Sequence, residues 1–163
     1  MEKISTLDKN RRHYNPKLPD CLKGNISAVS CNEIATDTEL SDSSELKKIL
    51  PNTFGKKYVQ FAAEGGNCSR KPLKTGVVLS GGQAPGGHNV IAGLFDSLKQ
   101  ISDKSQLIGF LGGPSGILDN KAIEITKELI DNYRNTGGFD LIGSGRTKIE
   151  TPEQFEKSLE VCQ

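Results

Sequence analysis

The stretch Thr75-Gly-Val-Val-Leu-Ser-Gly-Gly-Gln-Ala-Pro-Gly-Gly-His-Asn89 decides how the chain is read. The apolar run Gly76-Val77-Val78-Leu79 stops at Ser80, a loop with four glycines and one proline follows, and an amphipathic helix begins near His88. Strand, glycine-rich turn and helix in that order are how α/β proteins hold a phosphate group. Glycine lets backbone approach an anion closely and adopts positive φ. The helix start behind the loop would offer free N–H groups and a partial positive charge. The loop is not a Walker loop: Gly81 and Gly86 have the right separation, but Gly87-His88 stands where Lys-Ser/Thr belongs. Nor is it G-x-G-x-x-G, because its first two glycines are adjacent. Spacing alone leaves it either a generic anion loop or a structural turn. As an anion loop it would hold phosphate mainly through backbone N–H groups and the helix end.

Downstream the pattern is regular. The helix over residues 88–100 carries Val90, Ile91, Leu94, Phe95 and Leu98 on one stripe, with Asn89, Asp96 and Lys99 opposite. Residues 107–111 read as a second strand running into Gly112-Gly113-Pro114-Ser115-Gly116. Thr126 can cap a helix through Asn132, with Leu129, Ile130 and Tyr133 inward. Residues 139–142 read as a third strand, followed by the polar loop 143–148. Thr151-Pro152-Glu153-Gln154 is a strong helix start, with Thr at the N-cap, Pro at N1 and Gln at N3, and Phe155 and Leu159 would face inward. Strands alternating with helices predict a parallel α/β sheet, and ligands bind at the C-terminal edge of such sheets. A helix in an α/β unit normally leads to another parallel strand; since the last helix ends at Gln163, the C-terminus reads as cut.

Upstream, residues 1–40 read as weakly structured, polar and interrupted by Pro16 and Pro19. Arg11-Arg12-His13 fits a solvated arm or a strap against another subunit. A short helix over 42–50 is predicted, capped by Ser41 or Asp42, with Glu45 in its first turn, Leu46, Ile49 and Leu50 as its stripe, and Pro51 ending it. Residues 52–55 read as a turn, 58–61 as a short strand, and 64–74, with Gly65-Gly66, as a polar connector. This divides the chain into an extension over residues 1–70 and an α/β domain over 71–163.

Length and composition bound the rest. At 163 residues there is enough chain for about one domain. With 21 basic against 20 acidic residues, a net charge of +1 gives no reason to expect a nucleic-acid or membrane-surface partner. The N-terminus lacks the apolar core of a secretory signal, and no run approaches the roughly 18 apolar residues of a membrane span, so a cytoplasmic protein is expected. Cys21, Cys31, Cys68 and Cys162 are irregularly spaced, which predicts scattered free thiols rather than a zinc or disulfide framework.

The positive charge that the loop lacks can come from Arg146 and Lys148, just after the predicted third strand. Arg holds phosphate bidentately and Lys acts as a point charge. The plain alternative is a surface pair with Glu150 or Glu153. His88 reads as a ligand, a general base or a hydrogen-bonding partner for the loop, the last fitting best beside glycines at a helix start. Asp119 and Asp140 are isolated carboxylates with no partner at metal-ligand spacing. A dinucleotide-binding oxidoreductase is disfavoured, because Gly81-Gly82 breaks the fingerprint and no acidic residue ends a second strand.

Several of these segments together resemble one family. The stretch from Gly76 to Val90, Gly109-Phe-Leu-Gly-Gly-Pro-Ser-Gly-Ile117, Tyr133-Arg-Asn-Thr-Gly-Gly-Phe-Asp140 and Ser144-Gly-Arg-Thr-Lys-Ile-Glu-Thr151 resemble the phosphofructokinases, specifically the pyrophosphate-dependent, long-chain group. Tyr14-Asn-Pro-Lys-Leu-Pro19 and Pro51-Asn-Thr-Phe-Gly55 are similar to segments of that group's N-terminal extension. ATP-dependent bacterial relatives carry Asp where Gln83 stands and Met-Asn in place of Gly87-His88-Asn89. The resemblance implies an incomplete Rossmann-like, phosphofructokinase-type parallel sheet with helices on both faces, preceded by an irregular N-terminal extension. By position, Gly81 matches the glycine whose N–H contacts pyrophosphate, Gly82 and Gly86 shape the same loop, and Arg146, with Lys148 near it, faces the donor phosphates. The implied reaction moves a phosphoryl group from pyrophosphate to fructose 6-phosphate, reversibly and with Mg²⁺, in proteins expected to be oligomeric. The family's Gly-Gly-Asp-Asp, Thr-Ile-Asp-x-Asp and Met-Gly-Arg motifs, which hold metal, base and sugar, do not occur in residues 1–163. The chain alone is therefore expected to be inactive. The alternative from another class is a non-catalytic phosphate-binding or subunit-interaction module.

Overall fold

The computed structural model describes residues 5–35, 43–63 and 71–163. The chain divides into two units, residues 17–69 and residues 1–16 together with 70–163.

The smaller unit is a two-stranded ribbon with short helices. Strand β1 (Val29–Ile34) pairs antiparallel with β2 (Tyr58–Ala63), in register from Val29↔Ala63 to Ile34↔Tyr58. Reading the first forty residues as weakly structured thus misses β1. Its middle, Cys31-Asn32-Glu33, has no apolar alternation, and its partner lies some thirty residues downstream. The helix predicted over 42–50 is α2 (Ser43–Ile49). Its proposed caps, Ser41 and Asp42, lie outside the described residues, as do Gly65-Gly66 and Cys68 of the connector. Cys21, Cys31 and Cys162 are free thiols.

The larger unit begins with a second unpredicted element, helix α1 (Thr6–His13). Ser5 caps it by accepting the Asp8 N–H at 3.1 Å, and Asp8 pairs with Arg11 and Arg12 one turn on. The basic cluster is not a free arm, because Arg11 is held within the chain. Arg11 donates to the Arg134 carbonyl, and the Asn135 side chain donates to the carbonyls of Arg11 and Tyr14 at 3.0 and 2.8 Å.

The sheet of this unit has the order β3-β4-β5. Strands β3 (Lys74–Val77) and β4 (Gln106–Phe110) run parallel, while β5 (Ala122–Glu124) is antiparallel to β4. The sheet is therefore mixed, not wholly parallel. The strand expected at 139–142 does not form. The Leu141 N–H is drawn to His88 at 2.9 Å, and the Gly143 N–H closes a turn onto the Phe139 carbonyl at 3.0 Å. The apolar character of this segment has another cause: Leu141 and Ile142 are core residues. They join Val77, Ile91, Phe95, Leu98, Leu107, Ile125 and Ile130, each large side chain contributing about 1.5–3 kcal/mol by burial.

Four helices complete the unit: α3 (Gly87–Ile101), α4 (Pro114–Leu118), α5 (Lys127–Tyr133) and α6 (Pro152–Cys162). Helix α3 buries Ile91, Ala92, Phe95 and Leu98, but Val90 and Leu94 of the predicted stripe stay exposed. The helix read after the second loop is α5, with Thr126 accepting the Leu129 N–H. Helix α6 starts with the full capping box read from sequence: Thr151 accepts the Gln154 N–H, and the Gln154 side chain accepts the Thr151 N–H. Its stripe is not inward, however, since Phe155 and Leu159 are 57% and 61% exposed. The architecture is that of a partial Rossmann-like α/β fold. No helix among the described residues is long and apolar enough to cross a membrane.

Candidate functional site

The loop between β3 and α3 has two ends with different surroundings. At the helix end, Gly86 has φ +98, a left-handed conformation that favours glycine. The Gly86 N–H donates to the Gly137 carbonyl at 2.6 Å, and the His88 N–H to the Gly138 carbonyl at 2.7 Å. A Cβ on Gly87 would stand 3.1 Å from the Gly138 oxygen and from side-chain atoms of Leu79 and Phe139. The helix start that would offer free donors to an anion is thus sealed by its own chain at two of them, Gly86 and His88.

His88 fixes the seal. The ring is fully buried and lies edge-on to Tyr133, with centroids 4.8 Å apart. Thr136 spends its hydroxyl proton on the Tyr133 carbonyl at 2.6 Å, so its oxygen accepts from His88 Nδ1. That leaves Nε2 as the acceptor for the Leu141 N–H. Burial holds the imidazole below its ordinary range, opposed by the Asp140 carboxylate. Asp140 Oδ1 is 3.2 Å from Nε2, a distance that makes an ion pair only with protonated His88. Because both ring nitrogens are committed in the neutral form, no ion pair operates at neutral pH. His88 is the loop's hydrogen-bonding partner, not an open base.

At the other end, the Gly81 N–H donates to the Gly145 carbonyl at 2.8 Å, and the Gly145 N–H donates to Leu79 at 3.4 Å, forming a parallel bridge beyond β3. This brings the loop with Arg146 and Lys148 against Ser80 and Gly81. Together with Pro114, Thr147, Ile149 and Glu150 they line an open cavity of about 540 Å³. Among the described residues Arg146 has no ion pair, and its guanidinium reaches to 3.0 Å from where a Cβ of Gly82 would stand. Lys148 pairs with Glu150 at 3.2 Å across an exposed surface, a contact weak enough for an anion to displace.

Gly81, Arg146 and Lys148 therefore share one cavity, Gly82 abuts Arg146, and Gly86 faces Gly137 instead. Asp119 pairs with Lys121 at 3.3 Å, and Asp140 lies beside His88. Sequence reading missed Ser80, Pro114, Thr147 and Ile149 in the lining, and Gly145 as the residue that joins the loops. Three loops with closely spaced glycines were the available signal, since close backbone approach needs bare Cα atoms. Among the described residues no group of three or more His, Cys, Asp or Glu could hold a metal ion. The acid in the cavity, Glu150, is engaged by Lys148. These residues do not fit a Mg²⁺ site.

Fold and cavity together define a partial Rossmann-like α/β protein with a cationic pocket at the meeting point of its glycine-rich loops. No family model matches the chain. It is 51% identical over 157 residues to the pyrophosphate–fructose 6-phosphate 1-phosphotransferase of Porphyromonas gingivalis, across 96% of this chain and 28% of that protein. The Treponema pallidum protein of the same name is 48% identical over 161 residues, across 93% and 28%. An Arabidopsis thaliana protein named as subunit beta 2 is 54% identical over 118 residues, across 71% and 21%. The chain falls within the pyrophosphate-dependent phosphofructokinase family and corresponds to its N-terminal part. It spans 28% of the length of the first two relatives and 21% of the third.

Proposed function

We propose that this chain supplies the phosphoryl-donor side of a pyrophosphate–fructose 6-phosphate 1-phosphotransferase. The reaction moves a phosphoryl group from pyrophosphate to the 1-hydroxyl of fructose 6-phosphate, giving fructose 1,6-bisphosphate and phosphate, as a reversible step of glycolysis in the cytoplasm. The observation that carries this reading is Arg146, a cation with no acid partner among the described residues, lining a cavity with Ser80 and Gly81. Phosphoryl transfer depends mostly on positioning and charge neutralisation. Arg146 would grip a donor phosphate bidentately, and Lys148 would add a point charge on leaving Glu150. The Gly81 N–H is spent on Gly145, so Gly81 would contribute close backbone approach instead of a donor. Gly82 would leave room for Arg146, and Gly86 would shape the loop.

The Mg²⁺ implied by the family resemblance finds no donor set among the described residues. Base and sugar motifs are likewise absent from residues 1–163, so the chain alone should not turn over. The subunit name of the Arabidopsis relative supports assembly into oligomers.

Titrating the purified chain with pyrophosphate in a calorimeter tests the reading. Binding should be measurable and should weaken about tenfold or more in Arg146→Ala, the loss of one charge-assisted pair. No heat of binding in the unaltered chain would sink the donor-site assignment, and formation of fructose 1,6-bisphosphate by the chain would overturn its inactivity. A second reading, a non-catalytic subunit-interaction module, draws on the exposed Phe155 and Leu159. Co-sedimentation with a full-length subunit of the family would favour it, and independent sedimentation would count against it.

A further inference from the structure

Gly145 stands where three loops meet. Its carbonyl accepts the Gly81 N–H and its N–H reaches Leu79, which ties it to the chain leaving β3. The loop after β4 presses in from another side. A Cβ on Gly145 would fall 2.2 Å from the Gly112 oxygen, and a Cβ on Gly113 would fall 2.3 Å from the Gly145 nitrogen. The Gly112 N–H holds the Ile142 carbonyl at 2.8 Å, clamping the same segment three residues upstream. No side chain fits at Gly145 or Gly113 without moving backbone.

Arg146 leaves from this clamped point. Among the described residues no carboxylate holds its guanidinium, so its direction is set by the backbone anchor and by the bare face of Gly82. An added Cβ there would stand 3.0 Å from Arg146 Nη2. We infer that Gly145 and Gly82 are positioning residues that set where Arg146 meets a phosphate anion: Gly145 fixes the backbone and Gly82 clears the path of the guanidinium. The inference rests on the proposed donor site and adds to it what places the cation.

Two variants separate placement from folding. Gly82→Ala touches the far end of one flexible side chain, whereas Gly145→Ala must shift backbone. Gly93→Ala, at a helical position with open space around it, is the control. Inorganic pyrophosphate is titrated by calorimetry and by NMR, following the Arg146 Nε–H resonance, assigned by its loss in Arg146→Ala. Gly82→Ala should keep the unaltered melting temperature, move the Arg146 resonance and weaken binding severalfold. Gly145→Ala should weaken binding about as much as Arg146→Ala, roughly tenfold or more, and should lose exchange protection at the Gly81 amide. The control should match the unaltered chain. Binding at unaltered strength in Gly82→Ala or in folded Gly145→Ala, alongside loss in Arg146→Ala, overturns the inference. If Gly145→Ala does not fold, Gly82→Ala decides. If the unaltered chain binds no pyrophosphate, the donor site fails, and an Arg146 resonance unmoved in Gly82→Ala would remove the positioning claim as well.

Discussion

The two ends of the 80–88 loop are both glycine-rich, yet they do opposite things. At the α3 end the backbone donors of Gly86 and His88 are consumed by Gly137 and Gly138, and a buried imidazole locks the arrangement. At the β3 end the Gly81 N–H is held by Gly145, and an arginine without an acid partner among the described residues stands over Gly82. The difference teaches that a strand–glycine–helix pattern does not by itself make an anion site. Gly81, Gly86 and His88 all give their N–H groups to carbonyls fifty or more positions away, so what decides is the side chain that stands at each end: a buried imidazole at one, an arginine at the other.

Breaking the sealed end should have the largest effect. His88→Ala leaves a cavity and strands the Leu141 N–H, so the chain should lose about 3 kcal/mol of stability in urea denaturation. An unchanged midpoint would show that the imidazole does not hold the seal.

Acid is a graded form of the same break. The unfolded imidazole titrates near 6.5, while in the fold burial lowers it. Between those values the unfolded state binds more protons. The contribution of His88 is therefore complete above pH 6.5, falls as pH drops through the lowered folded value, and is flat below it. Melting curves between pH 7.5 and about 5 should show this loss, and His88→Gln should abolish it. An equal slope in both proteins would exclude His88 as the cause.

Gly87→Ala is gentler. Its Cβ would crowd Gly138 and Phe139, against a helix-propensity gain of up to about 1 kcal/mol, and a net destabilisation of about 1 kcal/mol is expected in the same denaturation series. Stabilisation would mean that the 137–139 segment gives way easily.

The smallest effect belongs to the open end. Lys148→Gln removes an exposed pair with Glu150 and should change stability by under about 0.5 kcal/mol while weakening pyrophosphate binding a few-fold. A large loss of stability there would erase the contrast between the two ends.

Local chemistry was legible in the sequence. Thr151, Pro152 and Gln154 announced the start of α6, and Thr126 that of α5, because caps are made within one turn. Gly81, Arg146 and Lys148 were read as neighbours from the order of strands and loops, and they line one cavity. Contacts made at a distance were not legible. Residues 139–142 look like a strand, but they are apolar because Leu141 and Ile142 enter the core, and His88 takes the Leu141 N–H. Strand β5 is three residues long and exists through its pairing with β4. Phe155 and Leu159 follow a helical stripe, yet periodicity states only which residues share a face, not what covers that face. Helix α1 buries nothing, so apolar spacing could not reveal it; Ser5 and the spacing of Asp8 to Arg11 and Arg12 were the usable signs.

That first helix has a consequence for synthesis. Its anchors, Arg134 and Asn135, lie 123 and 124 residues downstream of Arg11. On a ribosome the eight residues of α1 emerge long before anything exists for them to dock on, and a helix of that length is marginal in water. Closing so long a loop belongs to the late, slow part of folding. This segment, made well before its anchors, should be among the last to reach its final place.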